Sequence, residues 1–141
     1  MDASFEEKST LISLVAIAVT FGNYFGRVWF FPRDEASQLG LLFTVLFIFI
    51  VIEALLHIGL AIGQKQQKAD ERDKAVSGKA NRNGYLLMLS LLICFVGYLI
   101  FAGILTGTAN VMTAINLMVF AVVAAELVRL GSLLFYYRMG A

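Results

Sequence analysis

The sequence predicts an all-α polytopic membrane protein, a four-helix transmembrane bundle filling the whole chain 1–141 as a single domain. Three observations predict it. Hydrophobic residues make up 60% of the 141 residues and charged residues only 15%, where soluble domains hold about half and about a quarter. Four charge-poor apolar runs follow one another, each long enough to cross roughly 30 Å of hydrocarbon at about 1.5 Å per residue. Period-2 alternation of the barrel kind is missing from all four, so each run satisfies its backbone as a helix. The 12 phenylalanines and single proline exclude a disordered or collagen-like chain. A lone cysteine excludes an intramolecular disulfide framework and a zinc site of cysteine pairs. With a net charge of +1, no nucleic-acid partner is expected.

The first span covers residues 11–31 and is interrupted by the polar residues Thr20, Asn23 and Arg27. Ser4 and Glu7 have capping-box spacing, which starts the helix before the membrane. Asp2, Glu6 and Glu7 outnumber Lys8 there, so the segment lacks the basic flank of a signal peptide and is expected to be retained. Pro32-Arg33-Asp34-Glu35 forms a turn, and Ser37 is placed to cap the next helix. The second span, 39–63, carries Glu53 and His57. Residues 64–83 form a charged loop whose Asp70-to-Lys74 spacing suits a solvated extension of the second helix. Ser77-Gly78 and 81–84 are expected to break that extension before the third span. This third span, 84–106, has no charge, and its Cys94 reads as a small packing residue. Residues 106–110 make a short hairpin, with Thr108 or Asn110 capping the fourth span, 111–137, which carries Glu126 and Arg129.

Orientation follows from the bases. Lys8, Lys65, Lys68, Arg72, Lys74, Lys79, Arg82 and Arg138 lie on the side shared by the termini and the central loop, against Arg27 and Arg33 on the other. Both termini and the loop are therefore expected in the cytoplasm, in the inner membrane of a prokaryote. Trp29 at the outer end and Tyr85, Tyr136 and Tyr137 at the inner ends suit the interfacial aromatic belts. Arg27 is read as a solvated anchor reaching the outer surface.

The informative residues are the charges a membrane excludes, since one mid-span costs about 2.5 to 3.5 kcal/mol on insertion scales. Glu53 and Glu126 each stand ten residues before an inner end, which sets them at one depth near mid-membrane. His57 follows Glu53 by four residues and Arg129 follows Glu126 by three, so each acid has a base about one turn along. Two readings of these four residues stand. They form an ion or proton site, with a titratable imidazole beside two carboxylates, or they pair internally and hold the bundle together. The spacing lacks the Glu-x-x-His of di-iron bundles, and His57 is the only histidine, so no metal or cofactor is expected. Gly22 and Gly26, Gly59 and Gly63, and Gly103 and Gly107 have helix-packing spacing. Asn23 and Asn116 are read as interhelical hydrogen-bonders. No catalytic motif is present, and the chain is not expected to be an enzyme.

The loop string Asp70-Glu71-Arg72, followed by Lys79-Ala80-Asn81-Arg82 leading into the third span, resembles a family of small prokaryotic four-span membrane proteins of unknown function with an Asp-Glu-Arg motif. The resemblance implies a helical inner-membrane protein and brings no activity with it. The small multidrug transporters also have four spans, but their essential acid lies in the first, where this chain has none. The expectation is a structural, regulatory or accessory protein in the bilayer. It acts as a homo-oligomer or within a membrane complex, and its 64–83 loop meets a cytoplasmic partner. The alternative is a proton-coupled transporter or ion channel.

Overall fold

The computed structural model describes residues 5–31, 34–63 and 71–139, apart from the side chains at 5, 6, 57 and 60–63. Ser4 of the expected capping box, Asp70 and the 64–70 connection lie outside the described residues. Four elements follow in order: α1 (Phe5–Phe30), α2 (Glu35–Gly63), α3 (Glu71–Tyr98, continued by a π-helical stretch, Leu99–Leu105) and α4 (Val111–Met139). Each is long and apolar enough to cross a membrane. The two short turns make α1–α2 and α3–α4 antiparallel pairs. The end of the molecule holding these turns is termed the hairpin end, and the opposite one the terminal end.

The helices do not close evenly. Helix α1 packs on both α2 and α4, α4 carries α3 along its other side, and α2 meets α4 only slightly. Ile17, Phe21, Tyr24, Phe25, Leu42, Val123 and Leu130 form the buried core between α1, α2 and α4. Polar residues on the outer faces satisfy themselves locally. Thr44 Oγ1 donates to Gly40 O at 2.8 Å and Ser90 Oγ to Leu86 O at 2.9 Å, the usual way a hydroxyl is tolerated on an apolar helix.

Local chemistry sets the helix ends. Asp34 caps α2: its Oδ2 accepts from the Ser37 N–H at 3.0 Å and its Oδ1 from Ser37 Oγ at 2.6 Å. The expectation of a Ser37 cap is corrected, because Ser37 sits three positions later and supplies an orphan N–H. Asn110 Oδ1 accepts from the Thr113 N–H at 2.9 Å and so caps α4. Beyond α3, the N–H groups of Thr108 and Ala109 return to Ala102 O at 2.7 and 3.0 Å. Gly107 turns the chain there at φ +64, a conformation that favours glycine. Across the hairpin end, Asn110 Nδ2 donates to Glu35 Oε1 at 2.7 Å. At the terminal end, Arg138 Nε meets Glu7 Oε1 at 3.3 Å.

The largest departure from expectation is residues 71–83. They belong to α3, not to an extension of α2, and neither Ser77-Gly78 nor 81–84 breaks the helix. Val76 and Ala80, one turn apart, are buried against Leu133 with Tyr136 and Tyr137 alongside. A mid-helix glycine costs about 1 kcal/mol, and burying these side chains offsets it. Glu71 and Asp73 in the first turn favour the helix start. Tyr136 and Tyr137 thus serve a packing contact, while Tyr85 is exposed.

Glycine use also differs from expectation. A Cβ on Gly22, Gly26 or Gly59 would meet nothing within 4 Å, so these positions make no close contact inside the chain. The close approach is at Gly84, where a Cβ would stand 2.9 Å from Arg129 Cβ and 3.1 Å from Ala125 O. Gly84 is what lets α3 lie against α4 beside Arg129. Cys94 is on an exposed face rather than packed, because α3 buries only the side that faces α4.

Candidate functional site

Because α2 diverges from α4, the terminal half of the bundle holds a cavity of about 530 Å³ between α1, α2 and α4. Its polar wall is Ser9, Thr10 and Ser13 of α1, Glu53 of α2, and Glu126 and Arg129 of α4. Toward the hairpin end it is closed by apolar groups that include Ile17, Phe21, Leu46 and Phe49. Phe21 and Phe49 meet edge-on at 5.3 Å between ring centroids on this side of it.

The two acids are held differently. Glu126 is clamped by its own helix: Arg129 Nε donates to Oε2 at 2.8 Å, and the second guanidinium arm meets Oε1. This fork is the strong, geometrically fixed form of a carboxylate pair, and both side chains are about one-third exposed. Glu53 takes a bond from another helix, Ser13 Oγ donating to Oε2 at 3.2 Å, and its Oε1 is buried. The site is therefore anchored on α4 and bridged from α2 to α1.

Axial position follows from helix rise. Glu53 is eighteen residues past Glu35 and Arg129 eighteen past Val111, roughly 27 Å along each helix, with Glu126 at roughly 22 Å. The two acids stand within about one helical turn of each other along the bundle, toward its terminal end.

Of the residues singled out in the sequence, Glu53, Glu126 and Arg129 line this one cavity. The His57 side chain and Asp70 lie outside the described residues. Glu71 and Arg72 are exposed in the first turn of α3 and take no part in the cavity lining. Sequence reasoning missed Ser9, Thr10 and Ser13. Their signal is the i, i+4 spacing of Ser9 and Ser13, which sets a polar stripe at the start of an otherwise apolar helix. Among the described residues no three histidine, cysteine or carboxylate groups gather as a metal site.

The hairpin half is built in the opposite way. Tyr24 is fully buried, and its hydroxyl donates to Asn116 Oδ1 at 2.5 Å. Asn116 Nδ2 in turn reaches Gln38 Oε1 at 3.4 Å, so one network crosses α1, α4 and α2. Phe25, Trp29 and Phe120 stack around it with centroids 5.4 to 6.1 Å apart. Asn116 is the interhelical hydrogen-bonder expected, whereas Asn23 is exposed on α1.

Fold and site together define a class: an all-α four-helix protein with helices of transmembrane length and a carboxylate-lined internal cavity. Comparison with protein-family profiles, with characterised proteins and with solved structures returns no match.

Proposed function

We propose that this chain is a non-enzymatic multi-pass protein of a prokaryotic cytoplasmic membrane, with both termini inside, that binds and passes a proton or small cation at Glu53. The observation that carries the reading is the cavity between α1, α2 and α4, whose described lining holds two carboxylates against one guanidinium. In this reading Arg129 holds Glu126 as a fixed, neutralised pair, and Glu53 is the exchangeable acid. A carboxylate in apolar surroundings strongly favours a proton or cation that neutralises it. Ser13 holds Glu53 in place, and the hydroxyls of Ser9 and Thr10 offer hydrogen bonds on the cytoplasmic approach. Release on the other side needs the Phe21–Phe49 contact to part. The sparse packing of α2 on α4 allows α2 to move against the α1–α4 pair. Proton flux into proteoliposomes under an imposed gradient tests this. The native chain is expected to exceed empty liposomes, with Glu53→Gln abolishing the excess. Equal flux for native and Glu53→Gln, or none above empty liposomes, contradicts the reading.

A second reading, a regulatory or accessory subunit in an oligomer or larger complex, is favoured by the order of residues 71–83. Docked on α4, this segment presents Glu71, Arg72, Lys74 and Arg82 outward as a firm charged surface for a cytoplasmic partner, at the motif shared with the four-span family that the sequence resembles. Charge-reversing substitutions at these four positions are expected to abolish recovery of a complex while the bundle stays folded. Unchanged recovery removes the reading.

A further inference from the structure

On the far side of α4 from the acid cavity, α3 and α4 enclose a second, open groove of about 480 Å³. Leu127, Val128, Gly131 and Phe135 form its apolar length. Val128 and Phe135 are largely exposed, and a Cβ on Gly131 would meet nothing within 4 Å, so the groove has an unfilled notch midway. From Leu127 to Tyr136 it runs roughly 13 Å along the helix, parallel to the direction a lipid chain takes.

At its terminal end the groove changes character. Asn83 Nδ2 donates to both Ser132 Oγ and Tyr136 Oη, each at 3.1 Å. Each hydroxyl spends a lone pair on Asn83 and keeps its own O–H to give to an acceptor. Lys79, one turn before Asn83 on α3, holds its ammonium 5.7 Å from the centre of the Tyr136 ring. Arg82, the neighbour of Asn83, is exposed. Two hydroxyl donors and the Lys79 ammonium thus gather where an apolar groove ends.

We propose that the α3–α4 groove binds one anionic phospholipid, its phosphate at Ser132, Tyr136 and Lys79 and an acyl chain along Gly131 and Val128. Charge complementarity selects the occupant: a phosphate monoanion with no cationic headgroup accepts from both hydroxyls and pairs with Lys79. A zwitterionic lipid brings its own ammonium to the Lys79 cation. Lysine suits this place, since its stem lies along apolar surface while its charge stays at the headgroup level. The groove shares no lining residue with the acid cavity, so this proposal stands apart from the function proposed above.

The test is native mass spectrometry of the full chain released from nanodiscs containing phosphatidylglycerol and phosphatidylcholine in equal amounts. The native chain is expected to retain phosphatidylglycerol about tenfold over phosphatidylcholine. Lys79→Gln combined with Ser132→Ala brings the ratio near one, Lys79→Arg keeps it, and Lys74→Gln, on the same helix but outside the groove, keeps it too. Should the double variant fail to fold by circular dichroism, Lys79→Gln alone serves, because its side chain is exposed. Excess inorganic phosphate is expected to leave the bound lipid in place, since the chain contributes to binding. No preference in the native chain, an equal loss in Lys74→Gln, or displacement by free phosphate overturns the proposal.

Discussion

The two halves of the bundle contain similar polar residues and treat them differently. In the hairpin half, Tyr24, Asn116 and Gln38 hydrogen-bond across three helices, with Phe25, Trp29 and Phe120 in ring contact alongside. In the terminal half, Ser13 and Glu53 bridge only two helices, and Glu126 turns to Arg129 on its own helix. A cavity of about 530 Å³ remains. A network that crosses three helices draws them together, whereas an i, i+3 pair satisfies charge without pulling a neighbour in. The hairpin half therefore serves as the clamp, and the terminal half keeps the space in which binding is proposed.

The strongest way to break this contrast is Arg129→Gln. It leaves Glu126 without its clamp, and a loss of about 2 kcal/mol is expected, less than for a buried pair because both side chains are about one-third exposed, read as a lowered Tm in detergent. Adding Glu126→Gln to it is expected to restore most of that loss, because the two side chains act as a unit. Next comes Gly84→Val, which forces a branched side chain against Arg129 Cβ and Ala125 O. Overpacking of this kind costs about 1 to 3 kcal/mol. Hydrogen exchange is expected to rise across 71–83 as α3 loosens from α4.

Tyr24→Phe sharpens the other side of the comparison. It removes one interhelical hydrogen bond while the ring stays, and costs about 1 kcal/mol, measured by thermal unfolding. The smallest effect is expected from Arg138→Gln, since Arg138 is 69% exposed in its pair with Glu7. Exposed pairs contribute about 0 to 1 kcal/mol, less as salt rises, so its Tm and the native chain's converge in high salt.

The four helices and their approximate ends, the start of α3 excepted, were legible in the sequence, because hydrocarbon thickness imposes run length directly. The acids were legible for the same reason: Glu53 and Glu126 stand out against apolar neighbours, and equal distance from a helix end set them at one depth. The start of α3 was hidden because its charged residues look solvated one by one. What holds the segment is Val76 and Ala80 against Leu133, a contact with a residue more than fifty positions away. The close approach at Gly84 was invisible for a related reason, since repeated glycine spacing carries no information about which helix lies opposite. Ser9, Thr10 and Ser13 became meaningful only once α2 was seen to diverge and leave them facing a cavity.

The central claim is that the terminal half holds an open cavity with polar groups on one wall beneath a packed hairpin half, and thiol accessibility measures it most directly. In a Cys94→Ala background in proteoliposomes, Ser13→Cys and Leu42→Cys are each exposed to a small membrane-impermeant thiol reagent from the side holding the termini. Ser13→Cys is expected to react readily and Leu42→Cys, buried in the aromatic half, to stay protected. Equal protection of both, or equal reaction of both, contradicts the account.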